Sequence, residues 1–159
     1  MVRSPRTQHA LLVAFAALVV AGGAAFASTA TAQLAWQKHD TIDVHATGFE
    51  LVDGDEPTLR VEFATTNPTA VDARLRVAAL VAYDGEVRSG EGLTVPRSER
   101  LAGDRERSVP AGERVTMTLV ADVPPERVER TREAVDADRI EVSGSFGVSV
   151  RGRSDTLDV

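Results

Sequence analysis

Strict alternation of apolar and polar side chains starts at Thr41 and recurs through the rest of the chain. Within residues 58–66, Leu59, Val61 and Phe63 alternate with charged or small residues. A period of two residues places such side chains on one face of a β-strand, and that face is expected to be buried. The other inward positions predicted in this way are Ile42, Val44, Ala46, Val71, Ala73, Leu75, Val77, Ala79, Val81, Tyr83, Val115, Met117, Leu119, Ile140, Val142, Gly144, Phe146, Val148 and Val150.

Short turn sequences separate these runs. They are Asp53-Gly54, Asp84-Gly85, Ala111-Gly112 and Gly152. Asp84-Gly85 stands between two strand-like runs and predicts a hairpin. The polar stretch 95–113 predicts a loop or a weak edge strand. Several short strands divided by turns are typical of an antiparallel sandwich, so the sequence predicts an all-β domain over residues 41–159.

One short helix is expected to interrupt the strands. Two prolines, Pro124 and Pro125, suit its start, and Glu126 and Arg130 have the spacing of an i,i+4 ion pair. Its apolar stripe is thin and consists mainly of Val128 and Val135. We therefore expect this helix to lie on the surface, over one end of the sandwich.

The N-terminal part of the chain has a different pattern. Residues 10–27 are uncharged and apolar, and Arg3 and Arg6 precede them. As a helix of about 1.5 Å per residue, this run is long enough to cross most of a bilayer. The positive-inside rule then places residues 1–9 in the cytoplasm and the C-terminal domain outside it.

A cleaved signal peptide is the alternative to an uncleaved anchor. Its Ala-x-Ala-like exit is present twice, at residues 25–27 and 30–32. Trp36 favours the anchor, because it lies where an interfacial aromatic residue is expected. The predicted organisation is a transmembrane anchor or signal peptide over residues 10–32, a linker over 33–40 and the β domain after it.

Composition excludes several classes of function. The formal net charge is −6, which argues against a nucleic-acid-binding surface and against a polybasic attachment to anionic lipid. No cysteine is present, so disulfides and thiolate metal sites are excluded. Lys38 is the only lysine among 18 basic residues. Few lysines, many arginines and an acid excess suggest a GC-rich genome and a halophilic source.

The sole asparagine, Asn67, is followed by Pro68 at the end of a predicted strand. Proline has no N–H to donate to a sheet, and an asparagine side chain can bond nearby main-chain groups. Proline in the middle position also prevents Asn67-Pro68-Thr69 from being a glycosylation acceptor. We interpret the pair as a structural device that ends the strand.

The order of strand, turn, strand, Asn-Pro, hairpin, "VPAGERVTMTLVADVP", short helix and closing hairpin resembles the late embryogenesis abundant type-two family, also called the water stress and hypersensitive response (WHy) domain. The resemblance covers residues 41–159. Asn67-Pro68 is its sharpest mark and Gly144 the next, whereas Glu113 stands where the family often has a small residue.

This resemblance implies an immunoglobulin-like or fibronectin-like β-sandwich without catalytic residues. It further implies a link to desiccation and stress tolerance, in proteins that are often exported or membrane-tethered.

Catalytic and metal-binding patterns are weak. The best metal candidate is the group His39, Asp40, Asp43 and His45, whose spacing matches no established zinc site. The carboxylates of Asp53, Asp55 and Glu56 suit calcium only loosely. The glycines of residues 143–147 lie within an alternating strand, and no Gly-x-Ser-x-Gly elbow is present. We therefore predict no catalytic residue, cofactor or metal.

The expected function is that of a non-enzymatic, membrane-tethered domain outside the cytoplasm that protects or binds a client protein. An accessory subunit that docks on a membrane partner through an edge strand is the alternative. A secreted hydrolase is less favoured, because it needs a pocket of convergent polar groups.

Overall fold

The computed structural model of the protein describes residues 5–87, 90–103 and 105–159. A long helix, α1 (Pro5–Gln37), is followed by a 3-10 turn (His39–Thr41) and by strands β1 (Asp43–Val52), β2 (Thr58–Thr66) and β3 (Ala73–Asp84). Three short strands come next: β4 (Glu91–Gly92), β5 (Arg100–Leu101) and β6 (Arg107–Val109). The chain ends with β7 (Arg114–Asp122), a 3-10 turn (Pro125–Arg127), α2 (Val128–Asp136), β8 (Ile140–Val150) and β9 (Arg153–Asp158).

The strands form two antiparallel sheets. One sheet has the order β1-β2-β7-β5. The other has the order β4-β3-β8-β9, and β6 pairs with the start of β3. The predicted antiparallel, mostly β domain is therefore confirmed. The stretch predicted as a loop or weak edge strand contains both β5 and β6.

Both sheets contribute side chains to one hydrophobic core. Leu59, Val61 and Phe63 are almost completely buried, as the alternation predicts. The Phe63 ring meets the Phe146 ring of the other sheet edge-on, with centroids 5.3 Å apart. An aromatic pair in this geometry adds to the burial free energy of the rings. It joins the two sheets at the centre of the molecule.

The predicted inward face of β3 is correct only in its first half. Ala73 and Leu75 are fully buried, but the pairing with β8 shifts between Val77 and Ala79. Beyond this β-bulge, Leu80 is buried instead of its neighbours. The residues that lose the predicted inward position are Ala79, Val81 and Tyr83. One extra residue in a strand reverses which side chains face the core, and alternation alone does not reveal where it lies.

Three of the predicted turns form hairpins, and Asp53-Gly54 lies in the one that joins β1 to β2. The Asp84-Gly85 turn leads from β3 to β4, whose Gly92 pairs with Tyr83. β8 and β9 are joined by two residues, Arg151 (φ 47°) and Gly152 (φ 82°). Positive φ at both positions is the signature of a type I′ turn, whose twist suits a two-residue hairpin.

The predicted second helix is present, preceded by a 3-10 turn that starts at Pro125. Val128 and Val135 pack partly buried against the core, while Thr131 and Ala134 are fully buried. The buried face of α2 is therefore wider than the predicted apolar stripe, which contained only Val128 and Val135.

The i,i+4 pairing predicted for Arg130 is wrong. Its guanidinium reaches away from Glu126, to Asp84 at 2.9 Å and to Glu91. Those carboxylates belong to the β3–β4 hairpin, so Arg130 holds α2 to the neighbouring sheet. Within the helix itself, Arg132 pairs with Glu129 at 3.3 Å.

α1 is longer than the predicted apolar segment. It continues to Gln37 and so includes residues 33–37 of the predicted linker. Its apolar window has a mean hydropathy of 2.4, and none of that window is buried. In the part of the chain that the structure describes, α1 is the one helix long and apolar enough to span a membrane or to act as a signal sequence.

Candidate functional site

The Asn67 side chain is fully buried and connects two loops. Its Nδ2 donates to the carbonyl oxygens of Val71 and Val109, each at 2.9 Å. Its Oδ1 accepts from the backbone N–H of Thr69 at 3.1 Å and from the Thr69 hydroxyl at 2.8 Å. The side chain thus replaces backbone pairing for a loop that has left the sheet.

The main chain of Asn67 continues this connection. Its N–H donates to the carbonyl of Glu113, and its carbonyl accepts from the N–H of Gly112, both at 2.9 Å. Strand β2 ends at Thr66, and the following Pro68 is exposed. The prediction that the pair ends the strand is confirmed, whereas its value as a family mark stays a prediction. We call Asn67, Thr69 and their partners the Asn67 node.

Gly144 pairs with Leu80, just beyond the bulge of β3. A Cβ at this position would collide with the carbonyl oxygen of Ala79 and lie 2.8 Å from the Cα of Leu80. Both contacts are with backbone, which cannot rotate away. Gly144 therefore permits the close approach of the bulged strand, and its N–H and carbonyl pair with Val159 at 3.0 Å.

Three residues of the weak metal candidate, His39, Asp43 and His45, are divided between two separate contacts. Asp43 and His45 share a face of β1, and their side chains are 2.8 Å apart. His39 instead contacts Asp155 of β9. Among the residues that the structure describes, no group of three or more His, Asp or Glu side chains is placed to hold a metal ion. Of the loose calcium candidates, Asp53 contacts Arg132 at 2.7 Å.

The C-terminal end of α1 packs against the β domain, in a contact we call the helix–domain junction. Ala35 is buried there, and Trp36 stacks on the His39 ring with centroids 4.6 Å apart. His39 Nε2 lies 2.8 Å from a carboxylate oxygen of Asp155, and the Arg153 guanidinium lies over the Trp36 ring. The pKa of Asp155 is lowered by a hydrogen bond from the backbone N–H of Thr156 and by His39. These contacts join α1 to β9.

A second cluster holds α2, and we call it the α2 clamp. The Asp84 carboxylate accepts from Arg130 Nε at 2.9 Å and from Arg139 Nε at 3.0 Å. These two hydrogen bonds lower the pKa of Asp84. Arg127 donates to the carbonyl of Gly92. Sequence reasoning does not reveal this cluster, because its members are far apart in the chain. Asp84 was predicted only as a turn residue, and Arg130 only as a partner of Glu126.

The concave surfaces of the described residues are shallow. A groove of about 470 Å³ crosses the outer face of the first sheet, lined by Gly48, Phe49, Glu50, Arg60, Glu62, Ala102, Thr118 and Val120. Its ionisable side chains are Glu50, Arg60 and Glu62, and Arg60 pairs with Glu50 at 3.5 Å. Its lining contains no serine, histidine or cysteine.

No protein-family model matches the chain, and no curated protein matches it. Three solved structures share 10% identity with it. A structural genomics target designated SoR45 has a TM-score of 0.41, with 74% of this chain and 80% of that chain covered. A protein from Archaeoglobus fulgidus has a TM-score of 0.44 over 74% and 90%. A FixG-related protein from Vibrio parahaemolyticus has a TM-score of 0.35 over 73% and 92%. Similarity at this level carries no functional argument.

Proposed function

We propose that this chain is a non-enzymatic, membrane-tethered domain that lies outside the cytoplasm and protects or binds a client protein. The β domain is assigned to the late embryogenesis abundant type-two, or WHy, kind, with an immunoglobulin-like or fibronectin-like sandwich. Asn67 and Gly144 support this assignment, because these two residues of the resemblance also occupy structurally demanding positions.

The exposed apolar surface of α1 is the observation that best supports a membrane tether. Eight large apolar side chains of residues 10–27 are more than half exposed, namely Leu11, Leu12, Val13, Phe15, Leu18, Val19, Val20 and Phe26. Burial of each is worth about 1.5–3 kcal/mol. The burial of all eight side chains is therefore worth more than ~10 kcal/mol, which is comparable to the whole free energy of unfolding of a domain. A membrane provides that burial, and Arg3 and Arg6 orient the helix with its N-terminus inside.

The distribution of charge supports a protective surface that faces away from the membrane. The end of the β domain far from α1 is formed by the β1–β2 and β3–β4 turns and by α2. The acidic residues described there are Asp53, Asp55, Glu56, Asp84, Glu86, Glu91, Glu126, Glu129, Glu133, Asp136 and Asp138. The basic residues described there are Arg127, Arg130, Arg132 and Arg139. An acid excess keeps a surface hydrated and soluble when salt screens repulsion.

Intact mass tests the tether. The native protein is recovered from salt-washed membranes and from the medium, and its mass is measured in each. We expect the full-length mass in the membrane fraction. A mass beginning after Ala27 or Ala32 in the medium would show that the segment is a cleaved signal.

Client protection is tested separately. A heat-labile enzyme is heated or dried with the full-length protein in nanodiscs, and light scattering follows its aggregation. Less aggregation than with empty nanodiscs is expected. Unchanged aggregation would contradict the protective role and leave the tether unaffected.

An accessory subunit is the second candidate, and β9 favours it. β9 is an edge strand of six residues, and all of them except Leu157 are exposed. An exposed edge can pair with a strand of another protein. Purification of the tagged full-length protein from its own membranes should then retain one stoichiometric partner, and its absence would remove this candidate.

A further inference from the structure

The turn between β8 and β9 lies against α1 just beyond the apolar run. Arg151 Nη1 donates to the Ser28 hydroxyl over 3.4 Å. The run 10–27 is about 27 Å long as a helix, close to the ~30 Å of a hydrocarbon core. In the tethered arrangement, on which this inference rests, Ser28 and the turn therefore lie at the level of the lipid headgroups.

A hollow separates α1 from this turn, and we call it the hairpin hollow. Its volume is about 250 Å³, and it is lined by Thr29, Ala32, Gln33, Val150, Arg151 and Arg153. Two guanidinium groups and the Gln33 amide can donate hydrogen bonds into it, and no carboxylate lines it. The Thr29 hydroxyl donates to the carbonyl of Ala25 and is open only as an acceptor. Guanidinium groups bind phosphate oxygens in pairs, which gives both strength and geometry.

The two arginines retain their positive charge toward solvent. Both are exposed, and neither forms an ion pair with any residue of the described ranges. Arg153 lies over the Trp36 ring, 5.9 Å from its centroid. Asp155 lies two residues farther along β9, and its carboxylate is already paired with His39. The hairpin hollow is thus a local basic site on an acidic protein.

This local charge answers the objection that an acidic domain is repelled by anionic lipid. A net charge of −6 disfavours a broad attachment. It does not prevent one defined contact at which two arginines meet one phosphate. We infer that the hairpin hollow binds the phosphate of one anionic phospholipid headgroup and so fixes the β domain against the membrane surface.

Native mass spectrometry of the full-length protein in detergent tests this site. Phosphatidylglycerol or phosphatidylcholine is titrated in, and the lipid retained per protein is counted. The test variant is Arg151→Gln/Arg153→Gln. The matched control is Arg60→Gln/Arg100→Gln, which removes the same charge from two exposed arginines elsewhere. Far-UV circular dichroism establishes that each variant is folded.

We expect the wild type and the control to retain one phosphatidylglycerol. The test variant should bind it roughly thirtyfold more weakly, since each arginine near an anionic surface contributes about one kcal/mol. Arg151→Lys/Arg153→Lys keeps the charge but loses the paired geometry, and its affinity should lie between the two. Trp36 is the only tryptophan, so a change in its emission on binding gives a second readout.

Three results would overturn the inference: equal retention by the test variant, equal retention of phosphatidylcholine, or full displacement of the lipid by an equal concentration of inorganic phosphate. The last would identify a site for free phosphate. Failure of the tether is recognised independently, because the native protein would then be found in the medium with a mass that begins after Ala27 or Ala32.

Discussion

At the scale of single residues, the Asn67 side chain is fully buried and is hydrogen-bonded through both its amide nitrogen and its oxygen. Its amide donates to the carbonyl oxygens of Val71, 4 residues away in the loop after β2, and of Val109, 42 residues away at the end of β6. A buried carbonyl that loses its partner costs about 1–3 kcal/mol, because water cannot replace the lost bond. Asn67→Ala should therefore destabilise the folded protein by about 2–4 kcal/mol.

Chemical denaturation of the full-length protein in detergent, followed by far-UV circular dichroism, measures this change. Pro68→Ala is the matched control, since Pro68 is exposed and surface substitutions usually change stability by no more than about 0.5 kcal/mol. Equal effects of the two substitutions would contradict the role assigned to the Asn67 side chain.

At the scale of elements, the β3 bulge depends on the absence of a side chain at Gly144. A methyl group there meets backbone atoms of Ala79 and Leu80, so Gly144→Ala should destabilise the protein by about 1–3 kcal/mol. Gly54→Ala is the control, because nothing lies within 4 Å of a Cβ at Gly54. A melting temperature that falls for Gly54→Ala but not for Gly144→Ala would refute the packing argument.

The same bulge marks how far the sequence predicts the elements. Alternation located the long strands, because one face of each contacts a single core. It placed Ala79, Val81 and Tyr83 wrongly, because the position of an extra residue depends on the facing strand. Gly144 was itself a signal, since a glycine inside a strand often marks a close backbone approach. The strand that approaches Gly144 is β3, and the sequence around Gly144 does not identify it.

The α2 clamp gives an element-scale dependence on pH. Hydrogen bonds from Arg130 and Arg139 lower the pKa of Asp84 below its value in the unfolded chain. The stabilisation by Asp84 is therefore complete above the unfolded pKa, about 4, and is lost as pH falls through the folded value. Asp84→Asn should cost about 1 kcal/mol at pH 7, a figure reduced by the partial exposure of Arg130.

Urea denaturation at pH 7 and pH 3 checks this prediction. The difference between the wild type and Asp84→Asn should shrink at pH 3. Asp55→Asn serves as the control, since Asp55 is exposed and forms no ion pair within the described ranges. A difference that stays constant between the two pH values would show that the clamp does not depend on the charge of Asp84.

At the scale of the whole molecule, the sequence separated the apolar segment from the β domain but not the contact between them. Trp36 was expected at a membrane interface, yet its ring stacks on His39, which in turn contacts Asp155. His39 and Asp155 are 116 positions apart, and only the fold brings them together. Sequence motifs describe residues that are close together in the chain. They therefore could not predict the helix–domain junction or the hairpin hollow, which join residues that are far apart in the chain.

The tether predicts that a charge in the middle of α1 matters far more than one at its end. Leu18 is 72% exposed and Leu34 58% exposed, so arginine at either position leaves the folded β domain intact. Arginine at the centre of a spanning helix costs at least about 2.5–3.5 kcal/mol, whereas near the interface it reaches water. Leu18→Arg should therefore lower the carbonate-resistant membrane fraction severalfold, and Leu34→Arg should leave it unchanged. Equal retention of both variants would mean that α1 does not cross the bilayer, and the β domain would then have to associate with membranes by another surface.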